Sequence, residues 1–191
     1  IYLQTHEDEL YDMLMLHNRE DLEGMPLILP ILNYPDFFEH PFLLKNETVL
    51  DDRVILQLEN PVFLPVSCAC RTELGSFSAD GQKAVLEIPL YRGVLKHFYE
   101  NYKDYYYLIY EDTAVHKSIG EFVEKSARRK ATAKTCCTKK EGSFFPLADV
   151  WDRPMFQEEY RGKLLFGEYT DGIFECPEFL EKYIKKIAFA K

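Results

Sequence analysis

A change of rhythm near Thr48 constrains this chain more than any single motif. Before it, apolar residues recur at helical spacing; after it, short strand-like runs alternate with turn residues. Thr5 with Asp8 three residues on has the form of a capping box, and Leu10, Met13, Leu14 and His17 follow at three- and four-residue steps. The spacing predicts a first helix from about His6 to Leu16. Asn18 and Asp21 repeat the start signal, with Leu22, Met25, Leu29 and Leu32 as the stripe of a second helix that Pro26 and Pro30 should kink or split. The helical part closes near Asn33-Tyr34-Pro35, and Phe37, Phe38 and Phe42 make the next stretch a packed connector. Leu14, Leu22, Leu29 and Leu32 are expected to lie against the region that follows.

Beyond Thr48 the expected strands are Arg53–Leu58, Phe63–Arg71, Ser76–Ser78, Ala84–Leu90 and Val94–Tyr99. The Asp80-Gly81 pair is a hairpin signal between two of these runs. Tyr105-Tyr106-Tyr107-Leu108-Ile109-Tyr110 has the aromatic density of a strand, and Asp112-Thr113 then introduces a helix through about Ala127. Thr132–Thr138 and Ser143–Leu147 read as strands joined by Lys139-Lys140-Glu141-Gly142, and Phe156–Tyr160 with Leu164–Tyr169 as a hairpin across Arg161-Gly162. A last helix opens at Pro177, with Phe179, Leu180, Tyr183, Ile184 and Ile187 on one face. The fold class is α+β: helices first, then a mainly antiparallel β meander or small barrel with helices.

The aromatic content of 15% supports a sizeable core. Runs such as Leu27-Ile28-Leu29-Pro30-Ile31-Leu32 are short and broken by proline, so no transmembrane helix is expected, and reduced cysteines would suit a cytoplasmic location. Five cysteines, an odd number, fit buried reduced thiols, with a zinc site on Cys68, Cys70 and Cys136 as the alternative. The net charge of -9 opposes adhesion of the whole chain to polyanions. Yet Lys117, Lys125, Arg128, Arg129, Lys130, Lys134, Lys139 and Lys140 fall in one segment opposed only by Glu121, Glu124 and Glu141. Within it Arg128, Arg129, Lys130, Lys139 and Lys140 are the candidate phosphate contacts for single-stranded DNA or RNA. Tyr105, Tyr106, Tyr107, Phe144, Phe145 and Trp151 are available nearby for base stacking. Packed aromatics beside a solvated lysine face are the competing interpretation.

Leu16-His17-Asn18-Arg19-Glu20-Asp21-Leu22 resembles the last motif of the YprB-like group of ribonuclease H-like proteins, predicted 3′–5′ exonucleases of the DEDD class. Later stretches, Tyr105–Leu108 through Glu111–Ser118 and Lys134–Pro146, are similar to C-terminal regions that some members carry. The resemblance implies that Asp21 is a metal ligand, for Mg²⁺ or Mn²⁺ in the intact parent enzyme. It further implies that His17 sits beside the scissile phosphate and attacking water. It also implies that residues 1–45 are terminal helices of a ribonuclease H-like nuclease domain with a connector, and 46–191 an accessory α+β domain. The Asp-x-Glu and intermediate Asp motifs of the group have no counterpart here, and the chain opens at Ile1. It is therefore expected to be the C-terminal fragment of a larger exonuclease, its missing partner being the N-terminal nuclease region, and to be catalytically incomplete alone. The adjacent pairs Asp51-Asp52, Glu111-Asp112 and Glu158-Glu159 do not replace those carboxylates, because neighbours on a strand point to opposite faces. The alternative from another class is a noncatalytic protein-binding or scaffold module.

Overall fold

The computed structural model describes residues 7–149 and 151–190, and the fold is α+β. One helix, α1 (Asp8–Ile28), runs through the site where a break was expected at Asn18. Asn18 is flanked by good helix formers such as Leu16, Arg19 and Glu20, and a few tenths of a kcal/mol per residue do not stop propagation. Pro26 is taken into the last turn, and Pro30 falls in a 3₁₀ turn (Leu29–Leu32) leading to α2 (Asn33–Glu39). Thr5, the proposed cap, lies outside the described residues.

The expected packing of this arm on the later region is not found. No residue of α1 is buried, and Leu14 and Leu22 are 52% and 69% exposed. Attachment begins at α2, where Asn33 Nδ2 donates to the Phe63 carbonyl and Tyr34 Oη to that of Val66, both at 2.9 Å. Phe37 is fully buried, so the connector belongs to the core of the strands that follow. No helix among the described residues is long and apolar enough to cross a membrane.

Among the described residues, nine strands divide into three antiparallel three-stranded sheets, and no barrel closes. Sheet one has the order β1-β2-β3, with β1 Leu43–Val49, β2 Arg53–Thr72 and β3 Gly75–Pro89. Val54, Leu56 and Leu58 face Ile88, Leu86 and Ala84 across the ladder, all buried, as strand alternation requires. The ladder then steps from Glu59–Lys83 to Leu64–Gly81, so β2 advances five residues while β3 advances two. Asp80-Gly81 serves this irregularity and not a hairpin turn: Gly81 has φ +58°, the left-handed conformation that bulges also demand. The chain reverses instead at Glu73-Leu74, between the paired Thr72 and Gly75. Asn60, buried in the bulge, donates from Nδ2 to the carbonyls of Phe37 (2.9 Å) and His40 (3.3 Å) and accepts from the Val62 amide (3.0 Å).

Sheet two has the order β4-β8-β9, with β4 Tyr91–Phe98, β8 Cys137–Pro146 and β9 Phe166–Glu168. The expected turn at Lys139–Gly142 is continuous strand, held by pairing of Gly142 with Gly93 and Lys139 with Lys96. The expected hairpin across Arg161-Gly162 narrows to a single bridge between Phe156 and Phe166. Sheet three has the order β6-β5-β7, with β5 Tyr105–Leu108, β6 Thr113–His116 and β7 Arg128–Lys130. Residues 112–127, expected to be helical, form β6 and the one-turn helix α3 (Lys117–Gly120). The β-branched Thr113 and Val115 pair with Leu108 and Tyr106 once Asp112 turns the chain at φ +49°.

The C-terminal helix α4 (Pro177–Ala188) is as the sequence indicates, with Leu180, Tyr183, Ile184 and Ile187 buried on sheet one. Tyr183 is fully buried, and its hydroxyl lies 2.7 Å from the Pro146 carbonyl on β8 and 3.0 Å from that of Leu74 at the β2–β3 reversal. Tyr183→Phe leaves two carbonyls without this donor. We expect it to lower unfolding stability by about 1–3 kcal/mol. Urea unfolding measures this, and an unchanged midpoint would show that the joint does not depend on the hydroxyl.

Candidate functional site

His17 and Asp21 stand one turn apart on α1, with Nε2 and Oδ2 separated by 3.8 Å and side chains 73% and 62% exposed. A hard divalent cation takes about six oxygen ligands, several of them carboxylates in a two-ion site. Asp21 is one carboxylate. Among the described residues no group of three or more His, Cys, Asp or Glu side chains is placed to hold a metal. The residues present therefore do not fit Mg²⁺ or Mn²⁺ by themselves. Cys68 and Cys70 lie on β2 while Cys136 is buried in the core of sheet three, so the zinc alternative is not assembled either. All five thiols are free, and only Cys176 is exposed. Burial pushes the Cys68, Cys70 and Cys137 thiols up, and Cys136 to about 11.

The five basic residues singled out as phosphate contacts do not form one surface. Pairing opposes Tyr107 with Arg129 and Tyr106 with Lys130, and residues directly opposite share a face. Alternation then sends Arg129 to one side of sheet three, with Arg128 and Lys130 on the other. The Arg128 guanidinium lies 4.6 Å from the centroid of Tyr106 and donates to the Gly120 carbonyl of α3. That of Arg129 lies 4.7 Å from the centroid of Tyr107. On β8, Lys139 and Lys140 likewise point to opposite faces, and Lys140 Nζ pairs with Glu168 at 2.6 Å. Lys139 turns toward sheet three and pairs with Asp112, whose other oxygen accepts from Tyr107 Oη at 2.5 Å.

One compact group results: Tyr107, Arg129, Asp112 and Lys139, joined by Lys96 directly opposite Lys139 on β4. The Lys139 ammonium, and then the Tyr107 hydroxyl, hold the Asp112 carboxyl below the usual carboxylate range. The same carboxylate raises Lys139 and Tyr107, acting through its hydrogen bonds to each. Lys96 and Asp112 were not legible as members, because β4–β8 register brings the one to Lys139 and the packing of sheet three brings the other. The proposed stacking aromatics divide as well. Phe144 and Phe145 are fully buried in two different cores, and Trp151 packs against Phe179 with centroids 6.1 Å apart. Tyr105 stacks on Tyr99 at 4.7 Å and 13°. His97 Nδ1 is 2.8 Å from the Met155 carbonyl, a contact between distant parts of the chain, and His40 Nδ1 is 2.8 Å from that of Asp36, one helical turn away.

No family model matches the chain, and no curated protein or solved structure matches it.

Cys136 gives a pH dependence. An ordinary thiol ionises near pH 8.5, and folding raises this one to about 11, so the folded state favours the neutral form. Its contribution to stability is complete below about pH 8.5 and is lost as pH rises towards 11. We expect the wild-type urea midpoint to fall more between pH 8 and pH 10.5 than that of Cys136→Ala; parallel profiles would exclude this thiol as the cause.

Proposed function

We propose that the chain is the C-terminal part of a metal-dependent 3′–5′ exonuclease of the ribonuclease H-like class, similar to the YprB-like group. In this reading α1 carries the last acidic motif, and the strands with α4 form an accessory unit that guides a single strand of DNA or RNA. The observation that carries it is the placement of His17 and Asp21 within a stripe of Leu10, Leu14, Met25 and Ile28 on α1. A carboxylate kept only for solubility belongs on the polar face of such a helix. One set inside the apolar stripe, with Leu14, Met25 and Ile28 all exposed, suits a helix that docks on a sheet supplying further carboxylates. Under this reading Asp21 is one ligand of a Mg²⁺ or Mn²⁺ site completed elsewhere in the parent enzyme.

The noncatalytic scaffold reading has its own supporting observation. Lys139 and Lys140 are paired with the carboxylates of Asp112 and Glu168, which leaves less net charge for a polyanion.

One pair of assays separates the two. With Mn²⁺ and 3′-labelled single strands, the chain alone is expected to be inactive. The intact parent enzyme is expected to digest from the 3′ end and to lose activity by a factor on the order of 10³ or more on Asp21→Asn. That loss corresponds to several kcal/mol of charge stabilisation, at about 1.4 kcal/mol per tenfold. An intact enzyme with no activity, or one indifferent to Asp21→Asn, overturns the nuclease reading.

A further inference from the structure

Lys96 and Lys139 face each other directly across the β4–β8 ladder, an arrangement in which like charges repel unless an anion lies between them. Asp112 supplies that anion. It reaches in from the β5–β6 turn on a left-handed backbone, φ +49°, which a residue with a side chain adopts at a cost. Its carboxylate pairs with the Lys139 ammonium and accepts from Tyr107 Oη at 2.5 Å, and the Lys96 charge also acts on it. Arg129, backed by the Tyr107 ring, adds a third cation on the same side of sheet three. Glu141, which shares the Lys139 face of β8 and is exposed, is the other acid there. Lys139, Asp112 and Arg129 are exposed and Lys96 is half-buried, so each is open to solvent.

We propose that Lys96, Lys139 and Arg129 form a seat for one phosphodiester group of a single-stranded nucleic acid, and that the Asp112 carboxylate is a built-in occupant which the phosphate displaces. A phosphodiester carries the same single charge as Asp112 but brings two unengaged non-bridging oxygens, whereas one Asp112 oxygen is taken by Tyr107 and only the other meets Lys139, and its arrival frees the turn to leave the left-handed conformation. The Arg129 guanidinium, supported from beneath by Tyr107, offers the adjoining base a surface to stack on. An acidic peptide could match the charge but has no ring at that spacing as a matter of course. The inference rests on the strand-guiding part of the proposed function and is independent of its nuclease part.

The test is a titration of the full chain with a fluorescent oligothymidylate at low and physiological salt. Asp112→Asn keeps an acceptor for Tyr107 and removes the competing charge, and it is expected to tighten binding by about three- to tenfold, the range of an exposed ion pair. Lys96→Gln with Arg129→Gln is expected to weaken binding and to reduce the slope of log affinity against log salt by about 0.7 for each phosphate no longer neutralised. Lys45→Gln, which removes a charge paired with Glu59 on sheet one, controls for net charge and is expected to change little. Circular dichroism confirms that each variant is folded. If Asp112→Asn gives no gain, or the Lys96 and Arg129 variant no weakening, while the wild type binds, the seat is overturned and strand guiding stands on other residues. If no oligonucleotide binds at low salt, both fall, whereas the Asp21→Asn assay still judges the nuclease. Equal binding of poly-glutamate, with the same response to the variants, overturns the nucleic-acid assignment in favour of an acidic protein.

Discussion

The hydroxyl of Tyr183 joins three parts of the chain that no backbone ladder connects: α4, the β2–β3 reversal at Leu74 and the end of β8 at Pro146. A buried carbonyl without a donor costs more than an ordinary hydrogen bond contributes, so this joint restricts where β8 can end relative to sheet one. The strand that it fixes is the common wall of two cores. Phe144 packs with Leu95, Phe156 and Phe166, while its neighbour Phe145 points the other way onto Phe174, Tyr183 and the main core. Because successive side chains on a strand oppose one another, a slip of β8 by one residue would replace one of the two buried rings with Ser143 or Pro146 and leave that core short of a phenylalanine.

The candidate site inherits its geometry from that wall. Lys139 lies on β8, and its position opposite Lys96 follows from the same register that pairs Tyr91 with Phe144. Sheet three is then hung beside the strand ends through the Tyr99 amide to the Cys136 carbonyl (3.0 Å) and the Tyr99–Tyr105 stack. The Asp112 turn therefore meets Lys139 as a consequence of packing around Cys136, Ala114 and Ala131. At the other end of the fold, Asn60 does comparable work: one side chain closes the end of α2 on the irregular part of β2.

What was legible in the sequence was periodic. α4 declares itself through Pro177 and a stripe that recurs every three or four residues, and the Tyr105–Leu108 strand through its aromatic density. What was not legible depended on partners distant in the chain. Asp80-Gly81 satisfies a hairpin and a bulge equally well, and only the surplus residues of β2 decide between them. The stretch after Asp112 carries helix-compatible residues, but Thr113 and Val115 gain a ladder beside Tyr105–Leu108 that a lone helix would forgo. Strands interrupted on paper at Lys139–Gly142 are continuous, because glycine opposite glycine, Gly142 on Gly93, needs no turn.

The same distinction governs charge. A run such as Arg128-Arg129-Lys130 looks like a patch when written in a line, and on a helix part of it would be one. On a strand, alternation divides it between two faces, and what counts is which cations register brings to the same side from other strands. Here that sum is Arg129, Lys139 and Lys96, with a carboxylate already among them. A chain with net charge -9 can present such a site to a polyanion only at short range, within a Debye length of about 8–10 Å, since beyond it the acidic surface and the counterions dominate. Attraction of that kind gives little long-range steering, and the three cations act only on an anion already close to them.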